Sequence, residues 1–296
     1  MSGIQKVGVV VHPGRPPAVE LGKLLAEWAG EHGIELRTLV SERGCIGEDV
    51  PCVEPEDFAP GLNLVVAVGG DGTLLRALGM VLTEQVPALG VNAGRLGFLA
   101  EVEPHDLGAA LDAVWAGRYR VERRTTLEAR VLVDGRQIAE DLAVNDVVLE
   151  KAARERLAAV AVSLGDGGGP FARYAADGVM VASPTGSTAY SFSAGGPIVS
   201  PRLDALLLTP IAPHMVFNRS LVLHPDEAVH MEVLPDNPVI ESVDGRPARE
   251  LPPGAVVEVR RSRYDALLVR IGRADFYRLV HSKFRLADPA ATDATA

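Results

Sequence analysis

Leu64-Val65-Val66-Ala67-Val68 is an unbroken apolar run, and it leads straight into Gly69-Gly70-Asp71-Gly72-Thr73. A strand without polar alternation has both faces covered, which is the habit of an inner strand in a parallel sheet flanked by crossover helices. The neighbouring segments agree. Lys6 to Val11 reads as a first strand, Ile34 to Val40 as a second, and Pro17 to His32 between them as a helix presenting Val19, Leu21, Leu24, Leu25 and Trp28 on one face. Beyond the Gly-rich turn, Thr73 is expected to open a helix to about Leu82, with a strand over Pro87 to Val91 and a helix over Pro104 to Trp115.

From Tyr119 the texture changes to β-rich segments punctuated by Asp134-Gly135, Gly165-Asp166-Gly167-Gly168-Gly169 and Asp244-Gly245. The expected organisation is an α/β domain with a parallel sheet over residues 1–119, a mostly β domain over 120–280, and a C-terminal segment with a disordered tail over 281–296. The chain's 296 residues suit two modest domains better than one.

Composition removes several function classes. A formal net charge of −10 disfavours a general affinity for nucleic acid, which needs clustered cations to displace counterions. Arg123-Arg124 and Arg260-Arg261-Ser262-Arg263 are local basic clusters, read first as solvated faces. Cys45 and Cys52 match neither a metal-ligand pair nor a redox pair. No run approaches the roughly 20 apolar residues that cross a bilayer, and His12-Pro13 cuts short the N-terminal apolar stretch, so a cytoplasmic protein is expected.

The Gly-rich turn carries the first chemical signal. Gly69, Gly70 and Gly72 let backbone approach phosphate oxygens, and the unpaired amides at the start of the helix near Thr73 point at an anion. Asp71 is out of place in a passive anion site. Beside a phosphate it must bind a metal or take a proton, both useful in phosphoryl transfer; the alternative is that it caps the helix. The turn is neither a Walker A loop nor a dinucleotide fingerprint.

Two further segments are rich in polar groups. Asp177 to Pro197 is dense in hydroxyls and glycines and reads as a ligand loop, with Tyr190 offering a face for a base; a plain Ser/Gly connection is the alternative. Asn145-Asp146 interrupts the apolar stretch Leu142 to Leu149, where a carboxylate could accept hydrogen bonds from vicinal ribose hydroxyls, or where a turn or β-bulge could hold a solvated Asp.

Together with the turn Asn92 to Leu99, the run Thr209-Pro210-Ile211-Ala212-Pro213-His214 and Asp244-Gly245, these segments resemble the NAD kinase family. Its members transfer a phosphoryl group to the 2′-hydroxyl of the adenosine ribose of NAD, giving NADP. The first motif alone is shared with diacylglycerol-type lipid kinases; Thr188-Ala189-Tyr190 following Asn145-Asp146 is more specific. A lipid kinase would also be expected to carry a Gly-Thr-Gly-Asn-Asp-type loop, which this chain lacks. A nucleotide-sensing module without turnover is the rival of another class, and Asp71 argues against it.

The resemblance implies Asp71 as proton acceptor, Gly72 beside the substrate, and Arg76 at phosphate. It implies Asn145 and Asp146 on substrate hydroxyls or base, Asp177 on NAD, and Thr188, Ala189, Tyr190, Ser191, Phe192 and Ser193 around the adenosine. Arg156, Ala212 and Arg246 fall at positions lining the pocket. Asp146 stands where many members have Glu, and Ala175 where a basic residue is common, with Arg173 nearby. The implied fold pairs an α/β domain with a β-sandwich in a homodimer or homotetramer. Mg²⁺ or another divalent cation is implied beside a donor that is ATP, another nucleoside triphosphate or polyphosphate. No dedicated metal cage is expected from the sequence, and His12, His214 and His224 read first as surface or packing residues.

Overall fold

The computed structural model describes residues 3–94, 97–153, 156–165, 169–235, 238–247, 249–272 and 276–286. The first half alternates as the apolar pattern predicts: β1 (Lys6–Val11), α1 (Pro16–Glu31), β2 (Glu35–Leu39), β3 (Cys52–Val53), β4 (Leu64–Gly69), α2 (Asp71–Val81), β5 (Ala88–Asn92) and α3 (Leu107–Trp115). Pro16 presets the first helical φ of α1, and Gly33, at φ +64°, turns the chain out after it. The face of α1 that packs inward is Ala18, Leu21, Leu25 and Ala29; Leu24, expected there, is exposed. All of β4 is buried, as an unbroken apolar run requires.

Strands β1 to β5 are parallel, in the order β3-β2-β1-β4-β5. The order reverses between β1 and β4, so their carboxyl ends open a crevice of the kind in which α/β sheets hold ligands. Loop 12–15 leaves β1 there, and the Gly-rich turn leaves β4.

The second half contains β6 (Arg120–Arg124), β7 (Leu127–Val133), β8 (Arg136–Ala143), β9 (Asp146–Lys151), β10 (Ala158–Leu164), β11 (Ala172–Ala176) and β12 (Gly178–Ala182). It continues with α4 (Tyr190–Ser193), β13 (Leu206–Ile211), β14 (Leu221–Leu223), β15 (Val229–Val233), β16 (Val239–Val243), β17 (Arg249–Leu251), β18 (Val256–Arg261), β19 (Ala266–Arg270) and α5 (Phe276–Lys283). Two antiparallel sheets, β11-β10-β15-β18-β7-β8 and β14-β13-β12-β9-β16-β17, share one core that includes Leu127, Val147, Val160, Val181, Leu206, Met231 and Val257. This is a β-sandwich; in β7 and β18 buried residues alternate with more exposed ones, as two packed sheets demand. Asp134 and Gly135, at φ 50° and 72°, make the hairpin between β7 and β8 that their pairing predicts.

The expected division at residue 119/120 is corrected by the sheet order. β19 lies parallel beside β5 and β6 antiparallel beside β19, so both complete the first sheet, and the sandwich is β7 to β18. The cause is chemical as well as apolar. Buried Arg270 on β19 donates to Glu122 on β6 at 3.1 Å and to the carbonyl of Leu99 at 2.8 Å, tying the last strand to the loop after β5. The segment expected as a tail from 281 carries the end of α5; residues 287–296 lie outside the described residues, as do Asp166 to Gly168 of the Gly-rich turn after β10. Among the described residues no helix is long and apolar enough to cross a membrane.

Candidate active site

Helix α2 begins at Asp71, two residues earlier than the sequence suggests, with Gly70 as its extended N-cap. Asp71 is therefore the first residue of the helix and not its cap residue. Its carboxylate instead accepts three backbone amides of the loop after β5: Phe98 to Oδ2 at 2.6 Å, and Leu99 and Ala100 to Oδ1 at 3.1 and 3.2 Å. A carboxylate offers about four lone-pair sites, so one on Oδ2 remains. Position 97 must be glycine for this geometry, because a Cβ there would overlap the Asp71 carboxylate. Arg270, on Leu99's carbonyl, braces the same loop from the far side.

Asp71 lines an open cleft of about 670 Å³ together with Arg15, Gly94, Gly97 and Lys283. A second cleft of about 390 Å³, lined by His12, Thr73 and Arg76, shares Arg15, Gly70 and Gly72 with the first. The Gly-rich turn and the opening amides of α2 thus face a space large enough for a phosphate chain. Arg76 is already engaged: its Nη2 donates to the carbonyl of Val11 at 3.2 Å and to the buried carboxylate of Glu42. Arg95 and Leu96, inside the turn Asn92 to Leu99, lie outside the described residues.

Asn145 and Asp146 stand where the chain passes from β8 in one sheet of the sandwich to β9 in the other. The corner is fastened by Asp244, whose carboxylate accepts the amides of Val144 at 2.7 Å, Asn145 at 2.7 Å and Asp146 at 3.1 Å. Asp244 and Gly245 both adopt positive φ, which turns the chain so that the carboxylate meets those amides. Asp146 is buried, and burial, with Asp244 and then Glu150 as negative neighbours, pushes its carboxyl up to about 7. Burial likewise raises Asp244, offset in part by the three amides. Asn145 Oδ1 is buried without a hydrogen-bond partner among the described residues, as is Thr185 Oγ1. Orphaned acceptors of this kind mark a place where a ligand can donate.

The hydroxyl-rich stretch is more structural than its composition suggests. Ser183 Oγ donates to the Val144 carbonyl at 2.6 Å, Ser187 Oγ to the Pro184 carbonyl at 2.6 Å, and Ser191 Oγ lies 3.2 Å from Thr209 Oγ1; all three serines are buried. What remains outward is a narrower face. Tyr190 is 39% exposed and donates through its hydroxyl to Glu150 at 2.6 Å, while Phe192 and Ser193 are exposed and Thr188 and Ala189 half-buried. Burial and Glu150 both push the Tyr190 hydroxyl above its ordinary range. Asp177 pairs with Lys151.

The remaining expected residues are Ala212, Arg246 and Arg156. Ala212, at φ +43°, is exposed just after β13. Arg246 donates to the carbonyls of Val243 at 3.1 Å and Leu142 at 2.8 Å and lies 3.6 Å from Asp141, so it braces the corner before Asn145. Arg156 is exposed between β9 and β10. Packing links the two constellations: Val144 shares a buried cluster with Leu74 and Leu99, and Phe284, after α5, stands 6.0 Å from Phe98 and 4.4 Å from Phe192 between ring centroids.

Family models match this architecture in two pieces, the ATP-NAD kinase N-terminal domain over residues 52–119 and the ATP-NAD kinase C-terminal domain over residues 144–271. The chain belongs to the NAD kinase family. The NAD kinase of Heliobacterium modesticaldum is 42% identical over 282 residues, covering 94% of this chain and 98% of the relative. NAD kinase 2 of Streptomyces coelicolor is 39% identical over 294 residues, covering 96% and 95%. Yeast NADH kinase, solved with NADH, superposes with a TM-score of 0.86 at 26% identity over 96% of this chain and 89% of that one. An Archaeoglobus fulgidus NAD kinase solved with ATP shares the fold, with a TM-score of 0.74 at 24% identity over 96% and 100%. As an NAD kinase this chain is a phosphotransferase that acts on NAD.

Sequence reading passed over several residues that complete the site. Asp244 was visible as half of an Asp-Gly turn and as one piece of the family resemblance, with no role attached, and its grip on three amides a hundred residues away has no local signal. Gly97 and Arg270 act through the loop after β5, whose contact with Asp71 is purely tertiary. Arg15, next to His12-Pro13-Gly14 at the end of β1, could have been found from the strand order had it been known.

Proposed function

We propose that this kinase transfers the terminal phosphoryl group of ATP to the 2′-hydroxyl of the adenosine ribose of NAD, with Asp71 accepting the hydroxyl proton. The observation that carries this reading is the Asp71 carboxylate in the cleft, held by three amides with one lone pair on Oδ2 unspent. A fixed acceptor beside the Gly-rich turn is positioned to take a proton as the hydroxyl oxygen attacks phosphorus. Asn145 and Asp146 receive the substrate's donors, which the orphaned Oδ1 of Asn145 supports, and the exposed face around Tyr190 carries the adenosine.

A divalent cation fits the cleft only as a passenger on the donor. Among the described residues no group of three or more His, Cys, Asp or Glu is arranged to hold a metal, and Asp71 is the one carboxylate among those that line the cleft. Mg²⁺ often keeps several waters and is bound largely by substrate phosphates. Carried in that way on the donor, Mg²⁺ would neutralise charge on the triphosphate and leave the last lone pair of Asp71 for the proton. A homo-oligomer in the cytoplasm is part of the same reading, supported by the exposed apolar side chains of Phe171, Val216, Phe217 and Val222.

The test is to incubate the protein with NAD, ATP and Mg²⁺ and follow NADP. Asp71→Asn should lower kcat on the order of 10²-fold or more while NAD still binds. An unchanged kcat in that variant would remove Asp71 from the chemistry; NADP formed from inorganic polyphosphate but not ATP would overturn the donor and keep the acceptor.

A further inference from the structure

The cleft must accept a phosphate chain of high negative charge next to a carboxylate, which requires cations free to meet it. Arg76 is not free, being tied to buried Glu42 and to the Val11 carbonyl. Two other cations line the cleft. Arg15 stands on the loop leaving β1, at the reversal of strand order, with Nη1 3.6 Å from where a Cβ on Gly70 would lie and 3.2 Å from the same position on Gly94. Its guanidinium therefore spans the Gly-rich turn after β4 and the loop after β5. Lys283, at the end of α5, also lines the cleft, its Nζ 5.8 Å from the ring centroid of Phe98, whose amide donates to Asp71.

Neither Arg15 nor Lys283 makes a hydrogen bond or ion pair among the described residues, although both line the cleft that contains Asp71. Their placement is not an accident of long exposed side chains. Arg15 is fixed at its backbone as the N-cap residue preceding Pro16. The segment carrying Lys283 is pinned by the contacts of Phe276 and Phe284 with Phe98, and of Phe284 with Phe192. The backbone amides of the turn can bind one phosphate group, but a chain of phosphates extends beyond them, toward these side chains.

We infer that Arg15 and Lys283 form a two-sided clamp for the linear phosphate chain of the donor, one from each flank of Asp71. The inference rests on the phosphoryl-transfer reading above and names the residues that hold its donor. Arg15 supplies a planar fork suited to two oxygens of adjacent phosphates, and Lys283 a point charge that follows the chain. The C-terminal helix is then part of the donor site, although it follows the last strand of the sheet.

Inorganic tripolyphosphate, titrated calorimetrically into wild type, Arg15→Gln, Lys283→Gln and the double variant, reads the clamp without turnover. Affinity should fall on the order of tenfold for each cation removed. In steady-state assays KM for ATP should rise by a similar factor while KM for NAD holds, and Arg15→Lys should recover part of the loss. Arg123→Gln is the control: that side chain is 79% exposed and lies 3.8 Å from Asp265, away from the cleft residues, so it should change neither quantity. Thermal midpoints of all variants exclude a folding defect as the cause. Unchanged tripolyphosphate affinity in the double variant, or a rise confined to KM for NAD, overturns the clamp. A wild-type protein that makes no NADP defeats the phosphoryl-transfer reading instead, and the tripolyphosphate titration still decides the clamp.

Discussion

Two aspartates in this molecule are held in the same way and are used differently. Asp71 accepts one amide on Oδ2 and two on Oδ1 from Phe98, Leu99 and Ala100; Asp244 accepts one on Oδ2 and two on Oδ1 from Val144, Asn145 and Asp146. Each joins a turn to residues distant in sequence, and among the described residues no cation hydrogen-bonds either carboxylate. The difference is what the free side of the carboxylate meets. Asp71 opens onto the cleft beside the Gly-rich turn. Asp244 faces the buried carboxyl of Asp146 and strengthens that group's hold on its proton. A carboxylate gripped by three amides is thus a fixing device, and its surroundings decide whether it acts on a substrate or sets the charge of a neighbour.

The sharpest way to break the comparison is at Gly97. A Cβ at this position overlaps the Asp71 carboxylate, so Gly97→Ala must either displace the side chain or open the loop. The expected loss in kcat is on the order of 10²-fold, matching removal of the proton acceptor itself. A variant with near-normal kcat would show that the amide grip on Asp71 is dispensable. The corner at Asp244 has no such glycine close to its carboxylate, which is why its substitutions are expected to act more mildly.

This asymmetry also explains what the sequence disclosed. The apolar run into Gly69-Gly70-Asp71 was legible because strand, turn and helix are contiguous there, and the local chemistry of glycine and a carboxylate is unusual. The placement of β19 beside β5 was not legible, since a short buried strand such as Ala266–Arg270 reads alike in a sandwich and in a sheet edge. Its decisive residue is Arg270, whose partners Glu122 and Leu99 lie far away in sequence. The hydroxyls of Ser183, Ser187 and Ser191 misled in the opposite direction: composition cannot distinguish a serine that binds a ligand from one that satisfies a buried carbonyl or hydroxyl. At Asn145-Asp146 the sequence left a turn and a ligand site as alternatives, and the structure contains a corner with an orphaned acceptor.

The second effect in size is one of pH. Asp146 is pushed up to about 7 by burial and by Asp244 and Glu150. If the ionised form accepts the ribose hydroxyls, KM for NAD should fall on the order of tenfold between about pH 6 and 8, and Asp146→Asn should flatten the profile. Stability moves the other way. The folded state favours the protonated acid, so ionisation weakens the fold progressively as pH rises from the ordinary value of 3.8 toward 7, and the penalty is complete above it. The urea midpoint of wild type should therefore decline over that window relative to Asp146→Asn. A KM profile unchanged by Asp146→Asn would detach this carboxyl from NAD recognition.

Asp244→Asn sharpens the comparison by altering the staple without emptying it. The amide oxygen can keep two of the three backbone donors, but the new NH₂ opposes the third, a loss of about 1–3 kcal/mol in unfolding stability. Removing the negative charge also lets Asp146 ionise at lower pH, so the midpoint of the KM profile should shift downward while kcat changes little. A large fall in kcat with an unmoved midpoint would mean that Asp244 serves the chemistry rather than the corner.

A third carboxylate marks where the pattern stops. Glu42 accepts the amide of Val11 at 2.7 Å, but it is buried and also takes the Arg76 guanidinium, so here a cation completes what amides alone do elsewhere. Burial raises the Glu42 carboxyl even with Arg76 present, and removing the cation raises it further. Arg76 is 42% exposed, so the pair's contribution is discounted for solvent screening, and Arg76→Ala should cost about 1–2 kcal/mol. A group whose folded pKa lies above its unfolded value loses stability as pH rises, so the deficit should be smaller near pH 5 than near pH 8 when read by urea unfolding. Effects on kcat and on both KM values should stay within about threefold, because the guanidinium is committed to the scaffold. A tenfold rise in KM for ATP would place Arg76 on the donor phosphates and make Glu42 the residue that aims it.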